Sequence, residues 1–358
     1  MISLASIIEQ FEKDFMKHYQ QQILPSHVKA LRAMKVCRNE HSPLMQLRCI
    51  DCEQQRFMPH SCGHRNCPHC QHYESQQWLE RQCKKVLPAS YFMLTFTLPA
   101  QLRPLAWRQQ RLIYGMMFDC VWETLQTFCQ NDKQLKGLAG VVTVLHTHAR
   151  ALHHHPHIHA VMPAAIVDKL KKQWRKKPGK YLFNHKALAK VFRAKMLERI
   201  KQQGLTVPAH CPQKWVVDCK AVGAGDKALI YLGRYLYRGV IREKDIISCR
   251  DGKVTYRYQD SKTKRYQTNT VAGAKFLWLI MQHVLPKGFR RARNYGFLHP
   301  NSKQLIQLLQ TLLKLDVKKI IATIKPRPQF TCDCCGAVMQ VIRTRIKRLP
   351  EFHQMASG

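Results

Sequence analysis

The chain has 358 residues, length for about two domains, and its 45% hydrophobic content can supply a real core. Lys and Arg number 59 against 22 Asp and Glu, and the net charge of +37 implies salt-sensitive attraction to a polyanion, nucleic acid ahead of an acidic membrane surface. No apolar run reaches the ~18 residues of a membrane span, and the fifteen cysteines read as metal ligands in a reducing, cytoplasmic compartment rather than as disulfides.

Residues 1 to about 36 read as a helical segment, with Ile7, Ile8, Phe11, Phe15 and Tyr19 at helical spacing and the character of an amphipathic helix rather than a secretory leader. Composition changes at Cys37. Cys49-x-x-Cys52 is followed, after fourteen residues, by Cys67-Pro68-His69-Cys70, a spacing that suits a structural zinc site. The expected ligands are Cys49, Cys52, Cys67 and Cys70; Cys37, Cys62, His60, His64 and His69 are near enough to replace one or to form a second site. A short basic helix is expected over Trp78–Val86, a strand over Tyr91–Leu98, and one long helix from Pro104 to about Gln130.

Gly140–His148 reads as a strand, and a second strand carries His153-His154-His155-Pro156-His157-Ile158-His159. Alternate residues of a strand share a face, so His155, His157 and His159 point one way and Ile158 the other. A histidine pair of this kind can hold one divalent cation. The short link between the strands suggests an antiparallel hairpin, and the order strand, long helix, strand, strand suggests an α+β fold with helices packed on an antiparallel sheet.

Asp168–Lys180, which includes Lys176 and Lys177 beside Trp174, reads as a basic loop suited to nucleic acid. A helix over about His185–Gln203 and a strand over Lys214–Cys219 follow. The stretch from Gly225 to Arg238 reads as a helix that sets Tyr231 and Tyr235 on one face and Arg234 and Arg238 on the adjoining one. Asp251-Gly252 turns a hairpin, and Phe276–Val284 is an apolar helix. Lys287–Gly296, with Arg290, Arg291 and Arg293 among aromatics and glycines, reads as a strand-binding loop for nucleic acid, followed by basic helices to about Ile324. The tail holds Cys332-x-x-Cys335 with no partner pair near it.

A histidine-held cation, tyrosines on a helix, a zinc module and strong basic charge converge on phosphodiester cleavage by a tyrosine nucleophile. The chain resembles the rolling-circle, two-tyrosine transposases of the HUH endonuclease superfamily, in the insertion-sequence 91 family. The resemblance rests on Cys62-Gly-His-Arg-Asn-Cys67-Pro-His-Cys70, Tyr91–Pro99, Val144-Leu-His146-Thr, His155-Pro-His157-Ile-His159 and Tyr231-Leu-Gly-Arg-Tyr235. It implies an HUH-type palm with a central antiparallel sheet and flanking helices, joined to an N-terminal zinc-ribbon-like module. It further implies Mg²⁺ or Mn²⁺ on His157 and His159, Tyr231 and Tyr235 as nucleophiles, and single-stranded element ends and target DNA as partners in a bacterial, nucleoid-associated setting. By the same resemblance to relaxases, His146 on the preceding strand is the third ligand, with His155 the alternative. Tyr237 stands where the family often has histidine, about 200° round a helix from Tyr235 and so turned from the metal.

The expected domains are 1–36 (helical), 37–86 (zinc module), 87–300 (nuclease) and 301–358 (basic, helical, with the lone CxxC). Rivals are a plasmid replication initiator or relaxase with the same chemistry and a non-catalytic, zinc-containing DNA-binding regulator. A carboxylate-metal transposase needs an acidic triad, and none is evident among the 22 acids.

Overall fold

The computed structural model describes residues 2–70, 72–168, 171, 173–225, 229–230, 240–260, 263–316 and 329–348. Two compact units form, one from Met1–Tyr73, Arg238–Val284 and Lys325–Gly358, the other from Glu74–Tyr237 and Leu285–Ile324. Both draw on stretches far apart in sequence, in contrast to the contiguous domains expected.

In the first unit, α1 (Leu4–His18) buries Ile7, Ile8, Phe11 and Phe15 along one stripe, and the Ser3 side chain caps it by accepting from the Ser6 amide. Pro25 opens α2 (Pro25–Lys35). Tyr19 stacks on Trp278 of the helix Gly273–Met281 with ring centres 4.7 Å apart. Strands β1 (Leu44–Cys49), β2 (Gln55–Pro59), β13 (Phe330–Thr331) and β14 (Val338–Ile346) make an antiparallel sheet in the order β13-β14-β1-β2. The tail thus pairs with the cysteine-rich segment and is a strand where only a helical region was expected. A second sheet holds β9 (Ile246–Arg250), β10 (Lys253–Gln259) and β11 (Tyr266–Ala272). The expected hairpin turn is there, with Asp251 and Gly252 both at positive φ.

The second unit is built on a five-stranded antiparallel sheet in the order β12-β4-β5-β3-β8. Its strands are β3 (Tyr91–Thr97), β4 (Gly140–His148), β5 (His154–Pro163), β8 (Val217–Ala221) and β12 (Ala292–Gly296). The residues of β12 were expected in a loop. One sheet face, with Phe92, Leu94, Phe96, Leu145, Ile158 and Ala160, packs on α5 (Gln110–Gln130) and α6 (His185–Gln202). The other face carries Val142, Val144 and Val161, which cluster with Tyr91, Leu229, Phe297 and Ile306. The helix expected from Pro104 is interrupted: α4 (Arg103–Arg108) ends at Gln109, whose φ of −120° and ψ of 47° are not helical. Likewise the basic stretch expected as a loop is a hairpin, β6 (Ala165–Asp168) with β7 (Gln173–Lys176).

Candidate metal centres

The β-branched runs that make β4 and β5 also fix their register, and the register assembles the histidines. His146 lies directly opposite His157, and Val144 opposite His159. Partners across an antiparallel pair share a face, so His146, His157 and His159 converge. Their ring centres lie 5.3 Å (His146–His157), 4.5 Å (His146–His159) and 4.9 Å (His157–His159) apart. One ring nitrogen from each lies within 4.8 Å of the others, and no carboxylate or thiol joins the set among the described residues.

Neighbours orient these rings. His157 Nδ1 donates to the His155 carbonyl at 2.7 Å, which leaves its Nε2 lone pair for a cation. Thr95 Oγ1 on β3 sits 3.0 Å from His159 Nδ1. Burial pushes His159 down to about 3, with the His157 charge adding to it, and pushes His146 well below the ordinary range, helped by its histidine neighbours and Arg291. His157 is lowered too, chiefly by burial. All three are therefore neutral at pH 7, the form that ligates a cation. His155 instead takes a hydrogen bond from Arg103 at Nδ1 (2.6 Å), and His154 lies on β5 with Tyr114 Oη 2.8 Å from its Nε2. Arg103 carries no motif, and Thr95 stands in the Tyr91–Pro99 stretch without a role assigned from sequence.

The cysteines gather in two sets, and the four expected ligands are split between them. Cys37, Cys62, Cys67 and Cys70 form one, with sulfurs 3.3 Å (Cys37–Cys70), 3.5 Å (Cys62–Cys70) and 3.5 Å (Cys67–Cys37) apart. Cys49 and Cys52 join Cys332 and Cys335 in the other, at 3.5 Å (Cys49–Cys335), 3.6 Å (Cys52–Cys332) and 3.6 Å (Cys335–Cys52). Four thiolates around zinc at about 2.3 Å stand about 3.8 Å from one another, whereas a disulfide brings two sulfurs to about 2.05 Å. Both sets fit a tetrahedral zinc ion. The separation has a plain cause: Cys49 and Cys52 sit at the β1–β2 turn, which the β1–β14 pairing aims at the tail rather than at Cys67 and Cys70. His69 joins neither set; its Nε2 pairs with Glu243 at 2.8 Å.

The expected DNA-contacting cations meet different fates. Arg290 and Lys176 are exposed. Arg291 is half-buried, its carbonyl accepting from the Leu145 amide at 2.9 Å. Lys177 is committed to Asp132 and the Leu182 carbonyl, and Arg293 to Asp119 and the Phe118 ring, 4.3 Å from its guanidinium. Lys177 and Arg293 are thus structural cations, not open contacts. Tyr231, Tyr235, Tyr237, Arg234 and Arg238 lie outside the described residues.

An antiparallel α+β core with three converging imidazoles, two cysteine clusters and a net charge of +37 defines a protein with three candidate metal centres and strong attraction to polyanions. Comparison with known proteins narrows this. Residues 140–305 match the family model Y2_Tnp, described as "Putative transposase", and residues 7–98 match the insertion-sequence 91 "Transposase zinc-binding domain". The "Putative transposase y4qJ" of Sinorhizobium fredii (strain NBRC 101917 / NGR234) is 32% identical over 295 residues, which covers 75% of this chain and 74% of that one. The "Transposase for insertion sequence element IS801" of Pseudomonas savastanoi pv. phaseolicola is 28% identical over 270 residues, covering 69% of this chain and 63% of that one. Among solved structures, the conjugative relaxase TrwC in complex with oriT DNA aligns over 63% of this chain and 72% of its own, at 12% identity and a TM-score of 0.26. The chain belongs to the transposases of the insertion-sequence 91 family. No described helix is long and apolar enough to cross a membrane.

Proposed function

We propose that this transposase nicks single-stranded DNA at the ends of its element through a tyrosine nucleophile and passes the strand to a target in a rolling-circle-like reaction. The observation that carries the proposal is the convergence of His146, His157 and His159 on two adjacent central strands. Their three neutral nitrogens could hold a divalent cation, Mg²⁺ or Mn²⁺ in this reading, which when bound would supply positive charge to a non-bridging oxygen of the scissile phosphate. His157 is held in one tautomer by the His155 carbonyl, and Thr95 steadies His159, so the imidazoles need little reorganisation.

Tyr231 and Tyr235 are the nucleophiles in this reading. The phenolic oxygen forms a bond to phosphorus, the bond to the 3′ oxygen breaks, the phenolic proton leaves with that 3′ oxygen, and the 5′ phosphate stays on the tyrosine. The ester conserves the bond energy, so rejoining to a target 3′ hydroxyl needs no nucleotide cofactor. What supports these residues is the packing of Leu229, two positions ahead of Tyr231. It is buried in the cluster of Val142, Val144 and Val161, and Val144 is the cross-strand partner of His159. The segment that leads into the tyrosines therefore starts on the sheet face that bears the imidazoles. The cytoplasm, with its DNA and reduced thiols, is the compartment this chemistry suits.

The test is an adduct assay on single-stranded oligonucleotides from the element's ends. With Mg²⁺ or Mn²⁺ the protein is expected to cleave and stay covalently on the 5′ side, and Tyr231→Phe with Tyr235→Phe to remove the adduct. An adduct that persists in that double variant overturns the nucleophile assignment. Nicking that persists after His157→Ala with His159→Ala overturns the metal site.

A further inference from the structure

The C-terminal CxxC is unused in the function above, and its place in the fold is informative. We propose that Cys332 and Cys335 complete a second zinc site with Cys49 and Cys52, so that the protein holds two zinc ions and one of them fastens the tail of the chain to its N-terminal region. The matched zinc-binding domain ends at residue 98, so half of this ligand set lies outside it.

Several observations converge on this site. Each half is a tight turn at a strand end: Cys49 closes β1, and Cys332 and Cys335 fill the turn between β13 and β14. The Gly336 amide bonds the Cys332 carbonyl at 2.9 Å, and the Cys332 amide bonds the Ala337 carbonyl at 2.8 Å. Gly336 takes a φ of +73°, a conformation glycine adopts without a Cβ penalty. On the other half, the amides of Cys52 and Asp51 point at the Cys49 sulfur.

Among the described residues the four-stranded sheet also has only a small apolar core. The cluster beneath it comprises Leu47 and Met339 with the two cysteines Cys49 and Cys332, plus Met58 and Ala337 at its margin. Phe57, Val341 and Ile342 on the same strands are exposed. So little apolar burial does not hold four short strands, and small domains of that kind are held by a metal or by disulfides. Sulfur spacings of 3.5 to 3.6 Å select the metal over the disulfide. All four sulfurs lie within 4.8 Å of one another, as around a single ion, which leaves no room for the metal and sulfide core of a polynuclear cluster.

The two sites differ in access. Cys37, Cys67 and Cys70 are buried with Cys62 half-buried, whereas Cys52 and Cys335 are exposed. A chelator therefore reaches the tail-fastening site first.

The test uses the full chain, purified under reducing conditions, with zinc measured by elemental analysis against protein concentration. Two zinc ions per chain are expected for the parent and for Cys334→Ser, which removes the nearby thiol that joins no set. One ion is expected for Cys332→Ser with Cys335→Ser and, independently, for Cys52→Ala with Cys335→Ala. Far-ultraviolet circular dichroism checks that these variants fold. Replacing zinc by Co²⁺ gives a second readout: the thiolate-to-cobalt absorption should fall about twofold in either double variant. Mild chelation of the parent should release one ion quickly and open the 329–348 segment to protease. One zinc ion in the parent, two in a double variant, or mass-spectrometric detection of a Cys49–Cys335 or Cys52–Cys332 disulfide in the reduced parent would each overturn the assignment.

Discussion

Gly225 lies at the entry to the segment that carries the tyrosines, and replacing it by alanine should be costly for two separable reasons. Its φ of +95° is one that residues with a Cβ rarely adopt, and an added Cβ would stand 2.6 Å from the Tyr91 ring. That ring cannot swing aside: Tyr91 is buried in the sheet, and its hydroxyl accepts from the Leu87 amide at 3.0 Å and donates to the Leu87 carbonyl at 3.2 Å. The conformational part costs about 1–2 kcal/mol, and forcing an atom into a packed site about 1–3 kcal/mol more. Gly204 is the internal control. It ends α6 at a φ of +65° with nothing within 4 Å of its would-be Cβ, so Gly204→Ala carries only the first part. In a domain of 150–250 residues each kcal/mol moves Tm by about 2–4 °C. Scanning calorimetry should show Gly225→Ala lower by roughly 4–20 °C and Gly204→Ala by roughly 2–8 °C. Because the Leu229 amide bonds the Gly225 carbonyl at 3.0 Å, adduct formation by Gly225→Ala should also slow at temperatures where it is folded. Equal Tm losses in the two variants would refute the claim that the Gly225–Tyr91 contact sets this approach.

Four further substitutions test the fold and its charge. His27 is buried in α2, where its Nδ1 accepts from the Leu24 amide at 3.2 Å, and desolvation lowers it to about 4. The unfolded chain then binds a proton that the folded one refuses between pH ~6.5 and ~4, so stability falls as pH drops through that window, by about 3 kcal/mol for the full shift. His27→Gln should flatten the slope of Tm against pH there, and an unchanged slope would remove His27 as its source. Arg290→Ala should weaken DNA binding and reduce the salt dependence of log K by about one ion, while Arg293→Ala should lower Tm by several degrees through lost contact with Phe118 and Asp119. Lys177→Met should likewise destabilise, because it strands the Asp132 carboxylate, with little change in the salt slope.

The sheet was legible where side chains alone decide it. Continuous β-branched runs mark β3, β4 and β5, and their pairing follows from the short turn between β4 and β5, so the imidazole set is close to readable from Val141 to Met162. The thiolate sets were not readable in the same way. Spacing joins Cys49-x-x-Cys52 to the nearest pair, Cys67-x-x-Cys70, but the actual closing partner of Cys52 lies 280 residues downstream and becomes visible only through the β1–β14 pairing. An available signal was the count: three CxxC pairs plus Cys37 and Cys62 make two complete sets of four. The basic stretches misled for a related reason. Lys177 and Arg293 read as open cations because Asp132 and Asp119, far upstream, neutralise them only in the folded state. Nothing at Gln109 announces a helix break, for neither glycine nor proline stands there. Yet the break separates α4 from α5, and from α4 Trp107 meets His154 edge-on at 5.8 Å.

The electrostatics of the imidazole set lead to a last consequence. His146, His157 and His159 are neutral, no carboxylate joins them among the described residues, and the positive charges of Arg103 and Arg291 act on this neighbourhood. A divalent cation gains only nitrogen lone pairs there and meets like charge nearby, so the site by itself should bind Mn²⁺ weakly. A DNA phosphate reverses the balance, because its oxygens offer negative charge to the cation and to the arginines at once. Reciprocity of coupling then requires that single-stranded DNA tighten the metal as much as the metal tightens DNA. Coupling of this kind is typically 5- to 150-fold, and titration calorimetry with Tyr231→Phe and Tyr235→Phe protein measures it without turnover. Equal Mn²⁺ affinity with and without an end-derived oligonucleotide would show that the phosphate does not meet the cation at these histidines.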